Sequence, residues 1–341
     1  MIDTALAGGV IDVHAHWLPP ELFALPPGAP YGPMRDRDGE LVLGEVPLSI
    51  SARAMSDIDA ILADMREAGV GVRVLSAPPF AFPVGSGDGD SDGDSDADGD
   101  CDSDGDAGDY VRAFNAALAA VVAGSAGRLV GLGMVSLTDA DQARQQLAEL
   151  AATAGIAGVA IPPVVSGGSL DRGILRDILH TAADLDLAVL VHPMQLPRPE
   201  WAEHYLANLI GNPTETATAV AAVLLGGVIE ELPLLRICFV HGGGCAPGLL
   251  GRWEHGWDAR ADVRAHTKRS PREGFRELFF DSVTHDPEQL RLLSAHAGAR
   301  RVVCGSDYPF DMAQQQPVRF AVENGVDPDV LSANGRAFLG T

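Results

Sequence analysis

Four histidines and one aspartate lie at the ends of short apolar runs in this chain of 341 residues. They are His14, His16, His192, His241 and Asp307. Because residues i and i+2 of a strand project to the same face, His14 and His16 can point to one place. Imidazoles together with a carboxylate suit Zn²⁺ or a similar divalent ion that keeps one position open for water. The pattern predicts a metal centre and leaves open which of the five residues are ligands.

The apolar runs that carry these residues are predicted to be β-strands. Eight runs, rich in β-branched residues and often bounded by Gly or Pro, fit this pattern. They are Val10–His16, Val70–Ser76, Leu129–Ser136, Ile156–Ile161, Leu187–His192, Leu235–His241, Leu278–Ser282 and Arg301–Gly305. Most of them are apolar throughout, which is typical of a parallel sheet covered by helices.

Amphipathic helical patterns separate the predicted strands. They are Asp57–Ala68, Tyr110–Val122, Ala140–Ala152, Gly173–Ala183, Thr214–Glu231 and Pro287–His296. Alternating strands and helices in a chain of this length predict an α/β fold, a closed (β/α)8 barrel of the TIM type. A doubly wound open sheet is the alternative, but no Gly-x-Gly-x-x-Gly motif follows the first strand. Barrel enzymes place their active sites at the C-terminal ends of the strands, where the five residues occur.

The whole chain, residues 1–341, is predicted to be one barrel domain with two insertions. Residues 17–56 follow the first strand, are rich in Pro and Gly, and are expected to form a small lid over the barrel mouth. Residues 85–109 hold 11 Asp and no Lys or Arg, which predicts a disordered, self-repelling loop. A calcium-binding loop would need a Glu where Gly99 stands.

The chain is strongly acidic, with 24 Lys+Arg against 47 Asp+Glu and a net charge of −23. This balance argues against nucleic acids and anionic membrane surfaces as partners. No apolar stretch reaches the ~18 residues that span a bilayer, and the N-terminal residues lack the features of a signal peptide. The four cysteines form no Cys-x-x-Cys pair. We therefore expect a reduced, cytoplasmic protein.

Several segments resemble the amidohydrolase superfamily and, within it, the decarboxylase branch. They are IDVHAHWLP, LVHPM, CFVHGGG, FDSVTHDP and CGSDYPF, and the similarity extends through nearly the whole chain apart from the Asp-rich segment. Matched position by position, the metal ligands of the family fall on His14, His16, His192 and Asp307. Its catalytic histidine falls on His241. Of the remaining histidines, His285 is expected to lie nearest the barrel mouth.

The resemblance implies a metal-dependent, non-oxidative decarboxylase of an unsaturated or aromatic carboxylic acid, with a metal-bound water activated by His241. A metal-dependent hydrolase of a lactone, amide or ester is the alternative, because it would use the same residues. One divalent ion is expected, Zn²⁺ first, with Mn²⁺ or Co²⁺ also open. Many binuclear relatives hold two metals through a modified lysine after the fourth strand, but the single lysine here, Lys268, lies elsewhere.

Three arginines are candidates for binding the carboxylate of a small-molecule substrate. Arg252 matches a family arginine that reaches into the site of a neighbouring subunit, so the resemblance implies a homodimer. Arg260 is a weaker match. A second family arginine is absent, since Leu48-Ser49 stands in its place, and Arg53 is a nearby candidate to replace it. A guanidinium suits this role because it stays charged and is forked.

Overall fold

Eight parallel strands form one sheet that wraps into a barrel. The computed structural model describes residues 6–26, 29, 32–84, 103–196 and 198–341. In this part of the chain the strands are β1 (Val10–His16), β2 (Met34–Arg37), β3 (Glu40–Leu43), β4 (Val46–Ser51), β5 (Val70–Ser76), β6 (Leu129–Gly133), β7 (Ile156–Ile161), β8 (Val164–Val165), β9 (Gly168–Ser169), β10 (Ala188–Val191), β11 (Arg236–Phe239), β12 (Phe279–Asp281) and β13 (Val302–Val303). The barrel sheet has the order β1-β5-β6-β7-β10-β11-β12-β13, and each neighbouring pair is parallel. The predicted fold class is confirmed.

The barrel closes between β1 and the segment that follows β13. The Val13 N–H donates to the Cys304 carbonyl at 2.9 Å, and the His16 N–H donates to the Tyr308 carbonyl at 2.7 Å. The segment that carries Asp307 is therefore hydrogen-bonded directly beside the strand that carries the two N-terminal histidines.

All eight predicted strands are strands of the barrel. β1, β5 and β7 have the predicted bounds, and the other five are shorter. The difference falls largely at the C-terminal ends, where the predicted strands included His192 and His241. His192 lies one residue past the end of β10, where its N–H still donates to the Ile161 carbonyl at 3.0 Å, and His241 lies in a turn after β11.

Helices surround the sheet. They are α1 (Ala52–Ser56), α2 (Ile58–Glu67), α3 (Ser103–Ala123), α4 (Ala140–Ala151), α5 (Gly173–Asp184), α6 (Asn212–Leu225), α7 (Val228–Glu231), α8 (Ala246–Ala259), α9 (Pro271–Phe275), α10 (Pro287–Ala297), α11 (Pro317–Glu323) and α12 (Pro328–Leu339). Among the helices described, none is long and apolar enough to cross a membrane.

Two helix predictions need correction. The single helix expected over Thr214–Glu231 is divided into α6 and α7, because Gly227 between them has a φ of 77°, a conformation that glycine adopts without a steric penalty. The helix expected from Tyr110 begins at Ser103, so the end of the predicted Asp-rich loop (85–109) is helical. Residues 85–102 of that loop lie outside the described residues.

The insertion after β1 contains a second, antiparallel sheet, in which β2 pairs with β3 and β3 with β4. The Ser51 side chain then caps α1 by accepting the Ala54 N–H at 3.0 Å. Leu41 and Ile50 are buried in the same apolar core as the barrel strands. We call β2, β3 and β4 the small sheet, and its packing fixes it to the barrel.

A buried ion pair links β1, β5 and the segment after β13. Arg73 and Asp12 are both fully buried, and the Arg73 Nε–H donates to Asp12 Oδ2 at 2.9 Å. The same carboxylate accepts the Ser306 hydroxyl at 2.6 Å and the Ser306 N–H at 3.0 Å. Because a buried charge is costly unless it is paired and hydrogen-bonded, this cluster holds the turn before Asp307 against β1.

The variant Asp12→Ala should lower the free energy of unfolding by about 3–5 kcal/mol, because it removes a buried counter-charge of Arg73. Urea unfolding followed by circular dichroism measures this change. The control is Asp262→Ala, which removes an exposed partner of Arg260 and should leave the stability nearly unchanged. A loss no larger than that of the control would show that Asp12 does not hold the barrel closed.

Candidate metal centre and active site

The ends of three barrel strands bring three histidines and one aspartate together. His14 and His16 lie on β1, His192 directly follows β10, and Asp307 follows β13. One nitrogen or oxygen atom from each side chain lies within 4.8 Å of the others, and all four residues are buried. The structure thus gathers the four side chains that were predicted as metal ligands.

Each of the three imidazoles is fixed through its Nδ1 atom, which donates to an oxygen outside the cluster. The acceptors are Asp281 Oδ2 at 2.6 Å for His14, the Ala77 carbonyl at 3.1 Å for His16, and the Pro193 carbonyl at 2.6 Å for His192. Such an acceptor favours the tautomer whose Nε2 atom carries a free lone pair. The three Nε2 atoms are therefore oriented to bind a cation.

These Nε2 atoms converge on one oxygen, Asp307 Oδ1. It lies 3.2 Å from Nε2 of His14, 3.2 Å from Nε2 of His16 and 3.9 Å from Nε2 of His192. In His14 and His192 the Nε2 atom is buried and makes no hydrogen bond. Buried lone pairs that face a carboxylate are unfavourable unless a cation lies between them. Three imidazoles and one carboxylate fit a single divalent ion.

The electrostatics of the cluster agree with this fit. Burial lowers the pKa of His192 to about 3, so its lone pair is free at neutral pH. Burial opposes protonation of His14 as well, but the carboxylates of Asp307 and Asp281 raise its pKa to about 10. Despite burial, the neighbouring imidazoles, His14 first, hold the pKa of Asp307 well below its usual range. A proton and a metal ion compete for the Nε2 lone pair of His14, so metal binding releases that proton.

His241 lies beside the cluster, on the other oxygen of the shared carboxylate. Its Nε2 atom is 3.3 Å from Asp307 Oδ2, and its Nδ1 atom is buried without a hydrogen-bond partner. The residue opens a short 3-10 turn, His241–Gly243. Asp281 Oδ1 accepts the Gly242 N–H at 2.8 Å. Asp281 therefore positions both the imidazole of His14 and the turn that presents His241.

The backbone explains the glycine run after His241. Gly242, Gly243 and Gly244 have φ values of 60°, 78° and 61°, which side-chain-bearing residues rarely adopt. A Cβ atom on Gly244 would lie 2.3 Å from the Pro213 carbonyl oxygen. The run lets the chain pass tightly from β11 along α6 into α8, with His241 facing the barrel mouth.

A cavity with two lobes opens at the barrel mouth. The larger lobe, of about 380 Å³, is lined mainly by apolar side chains of the small sheet and of the loops after β5 and β13, such as Phe80 and Phe310. The smaller lobe, of about 330 Å³, adjoins the glycine run and His285. His241 and Asp307 line both lobes. Cavities of this size hold small molecules, and His241 stands where the two lobes meet.

The three candidate arginines line neither lobe in the described chain. Arg252 is exposed on α8. Arg53 is exposed on α1 and pairs with Asp57 at 3.3 Å. Arg260 follows α8 and pairs with Asp262 at 2.7 Å. A contact of Arg252 with the site of a neighbouring subunit stays a prediction.

Two functional carboxylates escaped the sequence analysis, which gave no role to Asp12 or Asp281. Each is the one carboxylate of its barrel strand, β1 and β12, and a buried position for a charged group was the available signal. Their partners, Arg73 and His14, lie 61 and 267 residues away along the chain. A local pattern does not reveal such pairs.

We expect one divalent ion per chain, and His14→Ala should lose it, because the remaining donors do not replace a missing ligand. Elemental analysis after dialysis measures the ion content. His255→Ala, which alters an exposed histidine of α8, is the control and should retain the ion. Two ions per chain in the unaltered protein, or none after reconstitution, would contradict the one-metal centre.

Comparison with known proteins agrees with this geometry. The family model described as Amidohydrolase matches residues 11–337. The 2-amino-3-carboxymuconate-6-semialdehyde decarboxylase of Dictyostelium discoideum is 31% identical over 242 residues, which cover 69% of this chain and 67% of that protein.

Solved structures share the fold. The 5-carboxyvanillate decarboxylase of Sphingomonas paucimobilis matches with a TM-score of 0.74 and 20% identity, over 97% of this chain and 99% of that chain. A dihydroxybenzoic acid decarboxylase of Polaromonas sp. JS666, solved with bound manganese, matches with a TM-score of 0.75 and 19% identity, over 98% and 97%. Since the Dictyostelium relative is a decarboxylase, the predicted enzyme class, a carboxy-lyase, is confirmed. The chain belongs to the amidohydrolase family and is similar in sequence to a decarboxylase.

Proposed function

We propose that this protein is a metal-dependent, non-oxidative decarboxylase of an unsaturated or aromatic carboxylic acid. The observation that carries the proposal is the position of His241, which lines both lobes of the cavity and contacts the carboxylate shared with the metal-binding imidazoles. The decarboxylase names of the relatives support the same reaction.

His14, His16, His192 and Asp307 would hold the ion. A divalent ion there supplies Lewis-acid stabilisation of negative charge and lowers the pKa of water. Charge that builds up on a bound acid would thereby be stabilised.

His241 is the proton carrier in this proposal. Its imidazole delivers a proton to the carbon that bears the carboxylate and then takes up another proton from solvent. That carbon becomes tetrahedral, and its bond to the carboxylate then breaks. The electron pair of this bond returns to the conjugated system, CO2 leaves, and the new hydrogen stays on the carbon. Asp307 Oδ2, at 3.3 Å from Nε2, orients the imidazole of His241 toward the cavity.

The finer parts of the proposal concern the ion, the assembly and the compartment. Three imidazoles and a carboxylate suit Zn²⁺, while the manganese in the Polaromonas structure supports Mn²⁺ as the alternative, with Co²⁺ also open. Cys238, Cys245 and Cys304 are free thiols in the part of the chain described, which supports a reducing, cytoplasmic setting. The assembly is a homodimer.

His241→Ala should keep the metal ion but lower turnover by at least ~10², the usual contribution of a general acid or base. The measurements are CO2 release over a panel of conjugated carboxylic acids and the metal content of the same samples. His255→Ala serves again as the control. If the ion is lost together with turnover, His241 is a ligand. If the unaltered protein opens lactones or esters but releases CO2 from no acid, the hydrolase alternative is correct.

Arg252 completes the site of the neighbouring subunit in this proposal. Loss of one charge-assisted, bidentate contact costs about 1.5–3 kcal/mol. Arg252→Ala should therefore raise KM by roughly 10- to 150-fold while the ion is retained. The control is Arg319→Ala, which changes an exposed arginine paired with Glu323. Arg53→Ala and Arg260→Ala test the two weaker candidates in the same assay.

A mixture of Arg252→Ala and His241→Ala chains should recover part of the activity, because some heterodimers hold one intact site. Activity that stays at the level of the separate variants, with a monomer in sedimentation analysis, would remove the shared site.

A further inference from the structure

In the described chain, the larger lobe is mainly apolar and is lined by two carboxylates but by no lysine or arginine. Among its described lining residues none is Lys or Arg, and the same holds for the smaller lobe. The residues outside the described part contain no Lys or Arg either. Within one chain, a permanent positive charge for a bound acid can therefore come only from a metal ion held at the centre.

A second carboxylate lines the same lobe. Asp311 follows Asp307 by four residues and lies exposed at the rim of the larger lobe. The negative charge of Asp311 acts on Tyr205, which lines the same lobe. Burial, together with the carboxylates of Asp311 and Asp307, raises the pKa of Tyr205 to about 12. The Tyr205 phenol therefore stays neutral and can donate a hydrogen bond. Like charges within a few ångströms repel each other, more strongly in a partly dry site than in water.

The other walls favour an uncharged ring. Leu48 of the small sheet and Phe80 and Phe310 supply apolar surface, while Asn208 and Asn212, which line both lobes, supply neutral polar groups. Hydroxyl substituents can be hydrogen-bonded by such groups. Within one chain, a further carboxylate would lose its hydration without gaining a counter-charge from Lys or Arg.

We infer that the substrate is an aromatic acid with a single carboxyl group and uncharged ring substituents, and that Asp311 is a specificity-determining residue that rejects a second acidic group. This inference rests on the proposed function and names the substrate class of that same site. Asp311 acts on binding and does not take part in the proton transfer.

The test compares two acids that differ by one carboxyl group, 2-hydroxybenzoate and 2-hydroxybenzene-1,3-dicarboxylate. Binding to the metal-loaded His241→Ala protein is measured by calorimetry, and CO2 release is measured with the unaltered protein. The monoacid should bind at least ~10-fold more tightly than the diacid, which lacks a counter-charge for its second carboxylate. The affinity ratio is the dissociation constant of the diacid divided by that of the monoacid. Adding Asp311→Asn should reduce this ratio by about 5-fold, the effect of one partly screened charge pair.

The salt dependence of binding distinguishes charge repulsion by Asp311 from a change in the shape of the lobe. Raising the salt concentration from about 0.05 M to about 0.5 M should reduce the ratio in the parent protein, because it screens the Asp311 charge, and should change it less after Asp311→Asn. Asp177→Asn, which alters an exposed aspartate of α5, is the matched control and should leave the ratio unchanged.

The role of Asp311 and the proposed reaction are contradicted by different results. Equal or tighter binding of the diacid, or a ratio that Asp311→Asn leaves unchanged, would overturn the inference whether or not CO2 is released. A preference for the monoacid in binding, with no CO2 released from any acid of the wider panel, would support the role of Asp311 while removing the proposed reaction.

Discussion

The ionised carboxylate of Asp307 is the constraint on which the arrangement of the site depends. Burial by itself would favour the neutral acid. The group stays charged because the imidazoles, His14 first and then His16 and His192, hold its pKa well below its usual range. His241 lies 3.3 Å from its other oxygen. One carboxylate thus contacts both the three clustered imidazoles and His241.

Asp307 also lies where the barrel closes. The Asp307 N–H donates to the His14 carbonyl at 2.8 Å, and the preceding Ser306 binds the buried Asp12 carboxylate through its N–H and hydroxyl. The first barrel strand and the segment after the last one are therefore fixed together where the ligands meet. The cluster is preorganised because the bonds that close the fold also set its distances.

Charge is distributed unevenly between this interior and the rest of the chain. The chain has 24 lysines and arginines against 47 acidic residues. No lysine or arginine lines the described cavity. Arg73 is buried but serves the closure of the barrel through Asp12. Within one chain, the affinity for an anionic ligand therefore depends on the ion at the metal centre. The choice between anionic ligands depends on the apolar and acidic walls of the larger lobe.

The sequence by itself determined the eight barrel strands and the residues of the metal centre. Apolar runs and the i, i+2 spacing of His14 and His16 are local features, and the motifs around His192, His241 and Asp307 carried the family resemblance. Tertiary structure decided the rest. α8 forms although it contains Gly248, Gly251 and Gly256, which disfavour a helix, because it packs against α6, α9 and α10.

The partners of Asp12 and Asp281 and the surface positions of Arg53, Arg252 and Arg260 were also decided by the tertiary structure. The residues that meet in these contacts lie as far as 294 positions apart along the chain. Short-range patterns of polarity specify an element and the face that it buries. They do not specify which distant charge an ionised group will meet once the barrel has closed.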